Sequence, residues 1–246
     1  MHPPPSPRPS VPLEIRVHEG IFETVLIVDG VVRELPPHMA RLRRSFWECY
    51  RVPLDLDADA EVRRTAAPYA GYHRARIVAT PEDPTRLRVE VQPCDPPVPL
   101  EQQPGLMLQV RRAHALAPHK FVDRDALNHA EIGLGSDEAV VFADYDGLVL
   151  EGSRSNIFVV RDGQICTPPL DGRILPGVSR QLILNYADDI GVPVAIAPIS
   201  LDELAASEGA FLTNSIRGVQ WVRRTSGAEW VEPHPLTRLI ASHDAG

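Results

Sequence analysis

The stretch Ser136–Val160, SDEAVVFADYDGLVLEGSRSNIFVV, alternates short apolar runs with turn residues. Glu138–Ala143 (EAVVFA) reads as a strand that stops at the turn Tyr145-Asp146-Gly147. Asn156–Arg161 and Gln164–Thr167 read as a hairpin, because Asp162-Gly163 between two apolar runs suits a tight turn with positive φ. Further on, Pro176-Gly177 opens a helix near Val178–Ile190. A strand over Val192–Ile199, a short helix over Leu201–Ser207 and a short strand over Ala210–Thr213 follow. Upstream, Leu106–Arg112 (LMLQVRR) reads as a strand and Asp123–Ile132 as a helix. Strands and helices succeed one another without a regular βαβ alternation, which predicts an α+β (α/β) architecture.

The first half has the same mixed character. Phe22–Leu35 (FETVLIVDGVVREL) carries apolar runs on either side of Asp29-Gly30, a second hairpin signal. After Pro36-Pro37, the apolar residues Met39, Leu42, Phe46 and Cys49 recur at helical spacing with arginines opposite. A second helical stretch covers residues 57–71, and Arg74–Thr80 and Arg86–Gln92 alternate like antiparallel strands. Residues 93–105 (PCDPPVPLEQQPG) hold five prolines and no periodicity, as an interdomain linker does. The reading is therefore a disordered proline-rich arm over residues 1–12, a small α/β domain over 13–95, a linker over 96–105 and a larger domain over 106–246.

Composition narrows the function. The chain has 246 residues, 43% hydrophobic and 24% charged, enough to bury a core without disulfide or metal staples. No apolar run reaches the roughly 18 residues a membrane helix needs, and the first ten residues lack the apolar segment of a secretory signal. Cys49, Cys94 and Cys166 form neither a disulfide framework nor a zinc pattern, so a reducing, cytoplasmic setting is expected. A net charge of -8 without a basic stripe argues against a nucleic-acid partner. Dinucleotide, P-loop and serine-hydrolase motifs are absent, and the histidines form no metal-binding cluster.

One count goes further. Of the 25 basic residues, 24 are arginine and one, Lys120, is lysine. Arginine replaces lysine wherever charge or anion binding is the job, but a guanidinium does not lose its proton to become a nucleophilic amine. Lys120 is thus either a Schiff-base or general-base lysine, or the one surface lysine that a compositional bias happened to leave.

Several blocks taken together resemble a known family. They are His119-Lys120 with Asp123-Arg124, then residues 136–160, then TPPLDGRILPGVSR (167–180) and FLTNSIRGV (211–219), with FETVLIVDG and HMARLRRS upstream. In this order they resemble the class IV, fold type IV pyridoxal-phosphate enzymes, which include branched-chain and D-amino-acid aminotransferases and aminodeoxychorismate lyase. The resemblance spans about residues 16–240. It implies a two-domain fold of the D-amino-acid aminotransferase type, pyridoxal 5'-phosphate as cofactor, a small-molecule substrate and a homodimer.

The resemblance also implies roles. Lys120 would hold the cofactor as an imine and move protons at the substrate carbon. Glu151 would keep the pyridine nitrogen protonated; by itself it reads equally as a solvated strand-end acid. Arg41 would bind the phosphate, while Arg43 and Arg44 read as a solvated helix face. The amides of Val178 and Ser179 would present a helix N-terminus to the same phosphate, and the Ser179 hydroxyl would bind it or merely cap the helix. Ser215 would add a second phosphate hydroxyl, and Asn156 would lie near the cofactor or only fix a strand turn. No metal is expected.

Asp123-Arg124 after the lysine, the Asn214-Ser215-x-Arg217-Gly218 block and the short N-terminus are similar to the lyase branch. That branch converts 4-amino-4-deoxychorismate to 4-aminobenzoate and pyruvate, with substrate supplied by aminodeoxychorismate synthase. Arg217 is then a candidate for a substrate carboxylate, or a plain surface arginine. Val17-His18-Glu19-Gly20 lacks the family's tyrosine there, Asp123 stands in place of an asparagine, and ATPEDPTR (79–86) lacks a glycine-rich substrate loop. A class IV aminotransferase is the alternative activity, and a non-catalytic family member a third reading.

Overall fold

The computed structural model describes residues 16–54 and 57–243; the arm expected over residues 1–12 lies outside them. A four-stranded sheet and an eight-stranded sheet, each packed with helices, give the expected α+β two-domain fold.

The small sheet has the order β2-β1-β3-β4, built from β1 (Ile21–Val28), β2 (Val31–Val32), β3 (Tyr72–Thr80) and β4 (Asp83–Pro93), all antiparallel. The β1–β2 turn is Asp29-Gly30, both at positive φ (49° and 78°), the geometry whose twist matches a tight hairpin. Helix α1 (Leu35–Tyr50) starts with Pro36 and Pro37, where missing N–H groups cost nothing, and buries Leu35, Met39, Leu42 and Phe46. Cys49 is only half-buried, so the expected apolar stripe ends one turn early. Helix α2 (Ala58–Ala66) is capped by the Asp57 side chain and closes the core through Val62 and Ala66.

The large sheet has the order β10-β9-β8-β11-β12-β5-β6-β7. Its strands are β5 (Leu106–Arg112), β6 (Glu138–Ala143), β7 (Val149–Gly152), β8 (Asn156–Arg161), β9 (Gln164–Thr167), β10 (Val194–Ile196), β11 (Gly209–Asn214) and β12 (Gly218–Arg224). The helices are α3 (Asp125–Ala130), α4 (Val178–Asp189), α5 (Leu201–Ala206) and α6 (Pro235–His243). Strands β7 and β12 and helix α6 are elements the sequence reading lacked. The proline-rich segment is docked: Leu100 is buried, the Gln103 side chain donates to the Val219 carbonyl at 2.9 Å, and the Trp221 indole donates to the Gln103 carbonyl at 3.2 Å.

A short crossing ties the two sheets together. The Phe22 amide donates to the Lys120 carbonyl at 2.8 Å and the Val122 amide to the Gly20 carbonyl at 3.0 Å. Residues 120–122 thus pair with the mouth of β1, and Lys120 is held where the two domains meet. Among the described residues, no helix is long and apolar enough to cross a membrane, and no group of three His, Cys, Asp or Glu side chains could hold a metal.

Candidate active site

A cavity of about 1100 Å³ opens between the two sheets. Arg41, Lys120, Glu151, Asn156, Val178, Ser179, Ser215 and Arg217 all line it, although they come from six separate parts of the chain. The structure thus brings every expected site residue to one concavity.

Lys120 sits in the connection between β5 and α3, with its Nζ 5.0 Å from the centroid of the Phe22 ring. Burial pushes its amine down from the usual lysine range to about 7, and the like charges of Arg124 and Arg41 push the same way, against Glu23 and Glu151. A substantial share of the amine is neutral near pH 7, the state a nucleophile requires.

Glu151 is buried on β7. Its Oε2 accepts from Asn156 Nδ2 at 2.9 Å and its Oε1 from the Leu175 amide at 3.1 Å. Burial pushes the carboxyl up to about 8, although the Leu175 hydrogen bond and the charges of Lys120, Arg124 and Arg41 oppose it. It is a carboxyl ready to hold or give a proton inside the cavity, not the solvated acid its sequence also allowed. Asn156 also donates to the Leu175 carbonyl at 3.0 Å, so it braces the 175–177 segment against Glu151.

Helix α4 opens on this segment. Gly177 is its cap residue, and no side chain caps the first amides. The Ser179 and Ser215 hydroxyl oxygens lie 3.2 Å apart across the opening, and Thr213 Oγ1 is buried there without a partner among the described residues. Free amides and converging hydroxyls at a helix N-terminus suit an anion. Gly177 is what permits the close packing: a Cβ there would fall 1.9 Å from Asn156 Oδ1. Gly177→Ala must displace Asn156 and the first turn together. Cofactor affinity is expected to fall about 100-fold, while the melting point drops by only a few degrees, given that a ~1 kcal/mol loss shifts it by a few degrees. Titration of apoprotein with pyridoxal phosphate reads the first effect, and an unchanged dissociation constant would contradict it.

Arg41 approaches from α1. Its Nη1 donates to the Pro176 carbonyl at 2.9 Å, and its Nε and Nη2 hold the Glu23 carboxylate at 2.7 and 2.6 Å. His38 Nδ1 lies 2.8 Å from the same carboxylate. Burial pushes Glu23 up, but the Arg41 charge and hydrogen bond, with His38, outweigh it and hold the carboxyl down at about 2. Glu23 and His38 were missed in the sequence. The signal was a lone acid inside the apolar run FETVLIV, and a histidine three residues before an arginine on one helix face.

Arg217 is exposed at the β11–β12 turn, where Asn214 Oδ1 accepts from the Ile216 and Arg217 amides at 3.0 and 2.9 Å. The turn is rigid, while the guanidinium itself has no partner among the described residues. Asp123 also lines the cavity, but its carboxylate is taken up by Arg16, whose Nε is 3.2 Å from its Oδ2.

Comparison with known proteins gives the family. The chain is 31% identical to an aminodeoxychorismate lyase of Bacillus subtilis over 220 residues, 80% of this chain and 74% of that one. It is 30% identical to the branched-chain-amino-acid aminotransferase of Escherichia coli over 99 residues, 39% of this chain and 32% of that one. The crystal structure of 4-amino-4-deoxychorismate lyase from Pseudomonas aeruginosa superposes with a TM-score of 0.77 at 25% identity, covering 96% of this chain and 95% of that one. The family model described as amino-transferase class IV matches residues 20–225. The chain therefore belongs to the class IV aminotransferase family, whose cofactor is pyridoxal 5'-phosphate.

Proposed function

We propose that this protein is a pyridoxal-phosphate lyase that converts 4-amino-4-deoxychorismate to 4-aminobenzoate and pyruvate. The observation that carries the enzymatic reading is the pairing of a near-neutral lysine amine with a buried, protonatable carboxyl in one cavity. The lyase assignment within the family is supported by the likeness to the Bacillus subtilis lyase, which extends over 80% of the chain.

The residues fit the cofactor. Lys120 supplies the amine, and the Glu151 carboxyl can hold a proton on the pyridine nitrogen. The open amides of α4, the Ser179–Ser215 pair and the unpartnered Thr213 hydroxyl can receive the phosphate. Arg41 spends three of the five N–H donors of a guanidinium on Glu23 and Pro176, which leaves two for that phosphate. Bound there, the cofactor supplies an electron sink conjugated with the substrate amine.

The chain's own part is proton management. The neutral Lys120 amine would take the ring proton from the carbon that bears the substrate amine. The ring C–O bond to the enolpyruvyl group then breaks, and the ring becomes aromatic. The proton on Lys120 passes to the methylene carbon of the leaving group, which departs as pyruvate. With the cofactor bound, the Glu151 carboxyl would hold a proton at its pyridine nitrogen.

Two measurements test this. Cofactor-loaded protein mixed with 4-amino-4-deoxychorismate and no keto acid is expected to release 4-aminobenzoate and pyruvate in equal amounts. Release of neither, with amino-group exchange between amino and keto acids instead, would establish the aminotransferase that the partial likeness to the Escherichia coli enzyme supports. The second is pH dependence. A lowered amine pKa means that the neutral form accumulates as pH rises through about 7. The rate of cofactor uptake by apoprotein should climb through that range and level off. A rate still climbing near pH ~10, as for an ordinary lysine, would refute the tuned amine.

A further inference from the structure

Three cations crowd one aromatic ring on the cavity wall. Arg76 Cζ is 4.0 Å from the Phe22 centroid, Lys120 Nζ 5.0 Å and Arg124 Cζ 5.8 Å. None of the three makes an ion pair among the described residues. Arg76 Nη2 donates to the Val122 carbonyl at 3.4 Å, and Arg124 Nη2 donates to the Ser153 carbonyl. Their neighbours are matched: Arg41 by Glu23, Arg154 by Glu131 at 2.6 Å, and Arg16 by Asp123. The stacked ring softens the repulsion but does not neutralise it.

Arg124 is the informative member. Burial and the nearby Arg154 push its guanidinium down to about 10, so it stays charged at neutral pH. It lines the cavity close enough to Lys120 and Glu151 to shift both of their pKa values, yet among the described residues its one side-chain hydrogen bond goes to a neutral carbonyl. A charged, half-buried fork with unused donors is costly unless a ligand anion completes it. Phe22 supplies a flat apolar wall beside it.

We propose that Arg124 is the seat of a substrate carboxylate. It binds an oxyanion of the acid beside the reacting lysine and leaves the exposed Arg217 for a second carboxylate, where the substrate has one. The identity of the acid rests on the lyase reading; the preference for a carboxylate at Arg124 does not.

The test uses cofactor-loaded wild type, R124M and R124K, with two probes. Chorismate carries both carboxylates but no amine, and 4-methyl-2-oxopentanoate represents the aminotransferase substrates. Binding is read by calorimetry, and the bound cofactor's visible absorbance is titrated with pH in parallel. Whichever acid the wild type binds, R124M should bind it about 30-fold more weakly, the scale of a lost charge-assisted hydrogen-bonded contact. R124K should recover part of the loss, with cofactor content and the absorbance titration unchanged. Equal affinity in R124M, no binding of either acid by the wild type, or a shift confined to the absorbance titration would overturn the proposal; the last would assign Arg124 to the cofactor's phenolate. Failure of the lyase reading looks different: the wild type releases no 4-aminobenzoate, while R124M still weakens acid binding.

Discussion

Lys120→Ala and Lys120→Arg are both expected to lose turnover by ~10,000-fold or more, because the residue is asked to carry the cofactor and to take up and then deliver a proton. The arginine variant is the sharper of the two. It keeps a positive charge in the same place, so it separates the need for charge from the need for an amine that can shed a proton. The sequence makes this experiment unusually clean: with 24 arginines and one lysine, no other lysine can take over. Treating loaded wild type with borohydride should fix the cofactor irreversibly to the peptide that contains Lys120, one label per chain. Neither variant should be labelled at that position. Lys120→Ala should fold, since removing a buried amine whose charged form is already disfavoured relieves a desolvation cost, whereas Lys120→Arg keeps a permanent charge there and should melt somewhat lower while remaining folded. A folded Lys120→Arg protein that retained turnover would end the assignment.

Much of this site was legible in the sequence, for identifiable reasons. Lys120 stood out by count, because the chemistry it performs is the one arginine cannot take over. The opening of α4 was legible because Pro176-Gly177 ahead of an apolar run is a local signal. Glu151 was legible only as one of two readings. A solvated acid and a buried one look alike in a sequence, and what separates them is the Leu175 amide arriving from 24 residues away. Its strand β7 is four residues long and wholly buried, too short to show a period.

The rest depends on distant partners. β12 was hidden because its alternation is broken at Val222 and Arg223, and its Trp221 is satisfied by Gln103 from a segment that reads as a free linker. Asp123-Arg124 was noticed as a pattern, but nothing local says that the aspartate is neutralised by Arg16 while the arginine beside it on the cavity wall is left without an ion pair among the described residues. Arg217 read from its motif as a candidate for a substrate carboxylate and equally as a plain surface arginine. The structure leaves it exposed at a turn and puts the half-buried, unpaired cation at Arg124.

The largest stability effect should come from Arg41, and it can be separated from any role in binding. Arg41→Met leaves the Glu23 carboxylate buried at 1% exposure with only His38 beside it, which should cost about 3–5 kcal/mol of folding stability. Adding Glu23→Gln removes the stranded charge, so the double variant should regain a large part of that loss. Acid unfolding gives an independent check. Glu23 titrates at about 2 in the folded protein against 4.5 for the ordinary carboxyl, so its contribution is complete above about 4.5 and is lost as pH falls from there toward about 2. Glu23→Gln should therefore flatten the stability profile in that window. Cofactor affinity must behave differently from stability. If the two remaining Arg41 donors reach the phosphate, the double variant regains its fold but not its affinity. A double variant that recovers both would make Arg41 a brace between α1 and the Pro176 carbonyl, and would leave the phosphate to the amides of α4 and the hydroxyls of Ser179 and Ser215.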